Sequence, residues 1–257
     1  MPTTQQLLAR LDAIGASLKD TGEALALLGL GSVGADTERL DEYSDLDFFV
    51  IARPGVKARY IDNLDWLATL CPLAYVFRNT VDGYKVLFED GIFCEFAVFV
   101  PQELRSIPFM RGRFIWKDAA FDESLTVPQP VDQRTHPIEG TSEWHLGEAL
   151  TNLYVGLGRV HRGEVLTGTR FIQSYAVDHL LALTKTLVTT QRKDEDPFNM
   201  ERRYELRYPQ VAQYLPDFIQ GYEHNLESAL AIVEFLTQHF EVAPAILAAI
   251  RELCVRR

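Results

Sequence analysis

The sequence predicts an α+β protein, with a mixed-sheet N-terminal half followed by an all-α, bundle-like C-terminal half. Up to residue 100, short apolar runs of strand length are separated by turn residues. From residue 143 onward, apolar residues recur instead at helical spacing. Between the two, residues 121–142 contain Pro128, Pro130 and Pro137 and show no clear period, which reads as an interdomain connection. The expected domains are 1–125 and 126–257.

Residues 3–19 read as an amphipathic helix. Thr3 and Gln6 have capping-box spacing, and Leu7, Leu11, Ile14 and Leu18 recur on one face. Residues 24–30 form a short buried strand running into glycines. Residues 46–52 form a second strand, stopped by Arg53-Pro54-Gly55. Val56, Tyr60, Leu64, Leu67 and Leu70 mark a helix ending at Pro72. Apolar runs at 73–78, 84–89 and 92–100 read as strands, the last two joined by a Glu89-Asp90-Gly91 hairpin turn. Helices follow at 143–164 and 169–192, in short pieces over 200–220, and at 222–240 and 244–256. Leu226, Leu230, Val233 and Leu236 form a core stripe.

At 257 residues, 47% of them hydrophobic and 24% charged, the chain has apolar material for a substantial core. The net charge of −11 argues against a sequence-independent grip on nucleic acid, which needs Lys and Arg at phosphates. Cys71, Cys94 and Cys254 are an odd number at wide spacing, which suggests a reducing, cytoplasmic setting. No apolar run approaches the ~20 residues of a membrane span, and no secretory leader is recognisable.

The most informative stretch is 29–49. Gly29, Gly31 and Gly34 spell G-x-G-x-x-G, the dinucleotide-binding fingerprint. That motif requires a helix after the turn, and the segment between Gly34 and the next strand is too short and too acidic to supply one. Residues 36–47 hold six carboxylates and one Arg, a poor place for pyrophosphate. The competing reading uses Gly31-Ser32 as a phosphate-binding turn. Asp45 and Asp47, two apart beside one strand, then face the same side. Glu95, an acid in a strand otherwise apolar on both faces, supplies a third carboxylate. Clustered acids repel unless cations sit among them, and Mg²⁺, hard and shared with substrate phosphates, is the natural cation. Two such ions suit an in-line displacement at a nucleoside triphosphate.

Gly31-Ser32, a spacer, Asp45-Leu46-Asp47 and a distant Glu95 resemble the nucleotidyltransferase superfamily with the DNA polymerase β-type catalytic core. Tyr43-Ser44-Asp45-Leu46-Asp47-Phe48 is similar to the Y-S-D-[IL]-[DE]-[FLM] of its lincosamide and aminoglycoside antibiotic nucleotidyltransferases. Cys94 to Phe99 resembles the strand carrying their third acid. Asn152-Leu153-Tyr154 through Arg162-Gly163-Glu164 resembles the first long helix of their C-terminal domain. Asp196-Pro197 and Arg202-Arg203-Tyr204-Glu205 resemble a further element there. The twelve-residue spacer between Ser32 and Asp45 is longer than in those members. It has Val33-Gly34-Ala35-Asp36 in place of their basic-glycine turn.

The resemblance implies a catalytic αβ domain, a helical acceptor-side domain, Mg²⁺ (two ions) and an NTP, ATP first, as co-substrate. Asp45 and Asp47 are the expected metal ligands, and Glu95 is either a metal ligand or the general base. Gly31 and Ser32 are expected at the β- and γ-phosphates. Lys185, a lone cation in an apolar helix, is the first candidate for a further triphosphate contact, against the plainer reading of a solvated lysine. Arg170 and Arg203 are weaker candidates. Tyr154 and His161, seven apart on one helix face, are candidates for the acceptor pocket, against the plainer reading of packing. The expected reaction moves a nucleoside monophosphate to a hydroxyl of a small molecule, a lincosamide or aminoglycoside being the resemblance's example, and releases pyrophosphate. The alternatives are a protein or tRNA acceptor as in toxin–antitoxin systems, a non-catalytic nucleotide- or partner-binding member, and, last, an NADP-dependent oxidoreductase. A homodimer is expected only by analogy.

Overall fold

The computed structural model describes residues 1–107, 109–127, 140–190 and 201–256. The chain divides into two compact units, Met1–Glu139 and Gly140–Arg257. The first holds a six-stranded mixed sheet and the second is helical, so the expected α+β class is borne out.

The first unit opens with α1 (Thr4–Thr21). The capping box forms as its spacing predicts: Gln6 N–H donates to Thr3 Oγ1, and Thr3 N–H donates to Gln6 Oε1. Gly22, at φ 68°, closes the helix. Strands β1 (Ala24–Gly29) and β2 (Leu46–Ala52) follow, then two short helices, α2 (Lys57–Asp62) and α3 (Asp65–Ala68). The expected single helix over this stretch is broken at extended Asn63, whose side chain accepts from Asp65 N–H in a turn that leads into α3. Strands β3 (Leu73–Phe77), β4 (Gly83–Phe88) and β5 (Phe93–Phe99) form a meander, with Gly91 at φ 85° in the predicted hairpin turn. A sixth strand, β6 (Arg113–Lys117), is not evident from its sequence.

The sheet order is β3-β4-β5-β2-β1-β6. All pairs are antiparallel except β2 and β5, which run parallel at the centre. One face packs on α1 through Leu7, Leu11, Ile14 and Leu18, against Phe48, Val50, Phe96 and Val98. On the opposite face the alternate residues Phe49, Ile51, Ala97 and Phe99 join Leu104 and Phe121 in a smaller cluster. That cluster covers the end of β2 and β5 away from Asp47 and Glu95, so both acids share a face with it without entering it.

The G-x-G-x-x-G stretch folds against the dinucleotide reading. β1 and β2 are adjacent and antiparallel, and the connection between them holds only two 3₁₀ turns, Gly31–Val33 and Thr37–Arg39. A βαβ crossover with a helix facing a pyrophosphate is therefore absent from this segment. The glycines have a packing reason instead. A Cβ on Gly34 would stand 2.5 Å from the Gly29 carbonyl oxygen and 2.7 Å from the Leu30 backbone.

The second unit begins with α4 (Ser142–His161), its N-terminus capped by Thr141 Oγ1, which accepts from Trp144 N–H at 3.1 Å. Helix α5 (Val165–Arg170) runs through a π-helical turn (Phe171–Ala176) into α6 (Val177–Leu187). Short helices α7 (Tyr204–Arg207), α8 (Pro209–Ala212) and α9 (Leu215–Phe218) precede α10 (Asn225–His239) and α11 (Pro244–Val255). Helix α4 is the hub, packing on α5, α6, α10 and α11. The π turn aims Gln173 at the start of α10. Its Nε2 donates to Gly221 O at 2.7 Å and Asn225 Oδ1 at 2.8 Å, and its Oε1 accepts from Gly221 N–H. Most of the proline-rich connection and Asp196-Pro197 lie outside the described residues. Among the described residues no helix is long and apolar enough to cross a membrane.

The Gly34 contacts are with backbone atoms, which yield little. Gly34→Ala should therefore destabilise the protein by about 1–3 kcal/mol, read as a lower midpoint in chemical denaturation. An unchanged midpoint would contradict the close approach of this turn to β1.

Candidate active site

The turn after β1 is held to the strand that carries the acids. Leu30 N–H donates to the Asp47 carbonyl oxygen at 2.8 Å, extending the sheet by one rung. Gly31 then turns at φ 52°, where a side chain is strained, and a Cβ there would lie 3.2 Å from Asp47 Oδ2. The Gly31 backbone and the Asp47 carboxylate thus face one another with no side chain between them. Gly31 O accepts from both Gly34 and Asp36 N–H, and Val33 O accepts from Arg113 Nη2 at 3.1 Å. Ser32, 7% exposed, sits within this braced turn. Its N–H and that of Gly31 open the turn, where the first donors have no partner inside the helix.

A second turn delivers Asp45. Asp41 Oδ1 accepts from Tyr43 N–H at 2.9 Å, Asp41 N–H donates to Ser44 Oγ at 3.0 Å, and Ser44 N–H donates to Asp41 O. Asp41 thus closes the turn that leads through Ser44 into Asp45. Asp45 is the residue just ahead of β2 and Asp47 the second residue within it. Both are half-buried.

Glu95 stands in direct register with Asp47 across the parallel β2–β5 pair. On its other side, across the antiparallel β4–β5 pair, stands Lys85. Lys85, Glu95 and Asp47 form one row across three strands, on one face. Asn79, 7% exposed, donates from Nδ2 to Glu95 Oε1 at 2.8 Å. Cys94, fully buried, reports the charge of the whole group. Its thiol pKa is pushed up by burial first, then by Asp45 and Asp47, with Glu95 adding to the rise and Arg10 opposing it.

Gly31, Ser32, Asp45, Asp47 and Glu95 thus belong to one end of the first unit. Among the described residues no three His, Cys, Asp or Glu side chains stand close enough to form a ready-made metal cage. The donors present are hard carboxylate oxygens, the kind suited to Mg²⁺. Beside the turn lies a cleft of about 1000 Å³, lined by Gly34, Ala35, Arg111, Arg113, Glu123 and Val127 among others. It brings two arginines next to a spacer that has no basic residue close to Ser32.

The remaining candidates belong to the second unit. Lys185 lines a pocket of about 480 Å³ together with His145, Asp178, Tyr204, Arg207 and Tyr208. Burial, followed by the charge of Glu201, raises the Asp178 pKa. Arg170 ends α5, and Arg203 precedes α7 at φ 61°. Tyr154 is 8% exposed within the helical core. His161 Nε2 lies 2.8 Å from the Leu253 carbonyl of α11. Neither of these two lines the 480 Å³ pocket.

Lys85, Asn79, Arg111 and Arg113 carry no motif in the sequence. The available signal was Lys85 itself, a lone cation in the apolar run 84–89, at a position that a hairpin through Glu89-Asp90-Gly91 brings level with Glu95.

No sequence-family model matches the chain, and no curated protein matches it in sequence. Among solved structures, an aminoglycoside 6-adenyltransferase from Bacillus subtilis aligns with 100% of this chain and 93% of its own, at 12% identity and a TM-score of 0.32. The CD-NTase CdnG of Bradyrhizobium diazoefficiens, solved in complex with GTP, aligns over 98% of both chains at 12% identity and a TM-score of 0.22. Similarity this low leaves the functional reading to the chain's own residues.

The raised Cys94 pKa and its complete burial predict thiol chemistry. In the native protein at pH 8, an aromatic disulfide reagent should label half-buried Cys71 well before Cys94, with Cys94 reacting only on unfolding. Equal native rates for the two would contradict the placement of Cys94 beneath the carboxylates.

Proposed function

We propose that the protein is a Mg²⁺-dependent nucleotidyltransferase that moves a nucleoside monophosphate, AMP first, from an NTP to a hydroxyl of a small acceptor. The observation that carries this reading is the Asp47–Glu95 register pair with the side-chain-free Gly31 turn against Asp47 Oδ2. A glycine turn with open N–H donors suits phosphate oxygens, and acids alongside it suit the cations that accompany them.

In this reading Asp45 and Asp47 hold the divalent metal. Bound Mg²⁺ would supply charge neutralisation at the phosphates and lower the cost of forming the attacking and leaving oxygens. Gly31 and Ser32 take the β- and γ-phosphates through backbone N–H groups and the Ser32 hydroxyl. Arg111 and Arg113 provide basic side chains beside the turn, where the chain close to Ser32 has none. The acceptor hydroxyl gives up its proton to solvent water as its oxygen attacks the α-phosphorus, the bond from that phosphorus to the bridging oxygen breaks, and pyrophosphate leaves. Such transfer depends mainly on positioning and charge neutralisation, which this set of residues provides. The acceptor is proposed from the likeness of Tyr43–Phe48 and Cys94–Phe99 to the antibiotic-modifying branch, which makes lincosamides and aminoglycosides the first compounds to test.

The protein, Mg²⁺ and each of four α-labelled NTPs should release pyrophosphate in the presence of a hydroxyl acceptor and attach the label to it. Asp47→Ala should lower this rate by about 10²–10³-fold or more. Label on a protein or tRNA from cell extract would move the acceptor to a macromolecule, and no transfer with any NTP would refute the reading. Arg111→Ala should raise the KM for the NTP by about tenfold with kcat little changed, the signature of lost ground-state binding. An unaltered KM would remove Arg111 from the nucleotide site.

A further inference from the structure

A nearly buried lysine beside the acid row is the feature the proposed chemistry leaves unused. Lys85 is 8% exposed, in a strand whose neighbours Gly83, Val86, Leu87 and Phe88 are buried. A buried ammonium is costly unless anionic groups or hydrogen-bond acceptors surround it. Its register partner on β5 is Glu95. Directly opposed residues of an antiparallel pair have Cβ atoms about 4.5–5.5 Å apart on one face, within reach of a lysine's ammonium and a glutamate's carboxylate. On the β3 side the register partner of Lys85 is Phe77, which offers no anion. Asn79, two residues beyond β3, donates to Glu95 Oε1. Glu95 is therefore flanked by an amide donor and a buried cation, while Asp45 and Asp47 lie toward the Gly31 turn.

We propose that Lys85 is a positioning residue which, together with Asn79, holds the Glu95 carboxylate on protein donors, so that the divalent metal rests on Asp45 and Asp47. This rests on the nucleotidyltransferase reading. Lys85 supplies a positive charge within the row, so the three acids need one fewer cation than their number implies. It also keeps Glu95 aimed from the β4 side whether or not nucleotide is bound.

The test is Mn²⁺ binding to the whole protein without nucleotide, followed by the electron paramagnetic resonance signal of free Mn²⁺, with thermal melting as a check on folding. Asp47→Asn should weaken binding at least about tenfold, and Glu95→Gln should change it by no more than about twofold. Lys85→Met frees Glu95 and removes a nearby cation, and should tighten binding about tenfold. Lys85→Arg should bind like the parent. In the double variant Lys85→Met/Glu95→Gln one positive and one negative charge are lost together and no carboxylate is released, so affinity should return to within about twofold of the parent. Parent-like affinity in Lys85→Met, or tightening that persists without the Glu95 carboxylate, would overturn the proposal and leave the nucleotidyltransferase reading standing. If Lys85→Met does not fold, Asn79→Ala reads the same hold. It should tighten binding about threefold in the parent background, and not in the Glu95→Gln background. Binding that is indifferent to both Asp45→Asn and Asp47→Asn would overturn the reading itself, and the proposal with it.

Discussion

The parallel pairing of β2 with β5 is the constraint on which the rest depends. Every other pair in the sheet is antiparallel and joins elements close in sequence or at an edge. The β2–β5 pair brings residues 46–51 against 94–99 and sets Asp47 opposite Glu95. A slip of one residue would turn Glu95 onto the side of Leu46, Phe48 and the α1 face, where a carboxylate would be buried without partners. Leu46, Phe48 and Val50 must meet the α1 core, while Asp47 and Glu95 must not, and these two demands select the same register.

That register also organises what surrounds the acids. Lys85 falls into the same row because β4 pairs with β5 in a tight hairpin. The Gly31 turn falls against Asp47 because Leu30 extends the β1–β2 ladder by one bond, leaving the chain to turn immediately above the carboxylate. Arg113 braces that turn from β6, the strand on the far side of β1. The site is thus assembled by backbone ladders, with short side chains in fixed positions. This suits chemistry that depends on placement within a fraction of an ångström.

Much of this could be read from the sequence because local signals and tertiary demands agree. The α1 capping box, the 46–52 strand and the Glu89–Gly91 turn each have side-chain chemistry that acts within a few residues. The glycine fingerprint could be discounted because too little chain separates Gly34 from β2, and the structure shows 3₁₀ turns where a helix would be required. What escaped notice depends on contacts between distant segments. Strand β6 is five residues long, with Arg113 and Lys117 at its ends, and its pairing with β1 supplies what its own pattern lacks. The break between α2 and α3 is the local exception, an Asn63 side-chain turn to Asp65 N–H within an otherwise helical spacing. The π turn at Phe171–Ala176 answers to Gly221 and Asn225, some fifty residues away. The roles of Lys85 and Asn79 are evident only once Glu95 is placed between β2 and β4.

In the proposed function the start of β2, Glu95 and the Gly31 turn together form a metal-assisted nucleotide site. The most direct test is a crystal structure with Mn²⁺ and a non-hydrolysable NTP analogue, with the metal located by its anomalous signal. Mn²⁺ is expected between the carboxylates of Asp45 and Asp47, with the outer phosphates on the N–H groups of Gly31 and Ser32. Nucleotide bound elsewhere, or Mn²⁺ with no ligand from Asp45 or Asp47, would contradict this assignment.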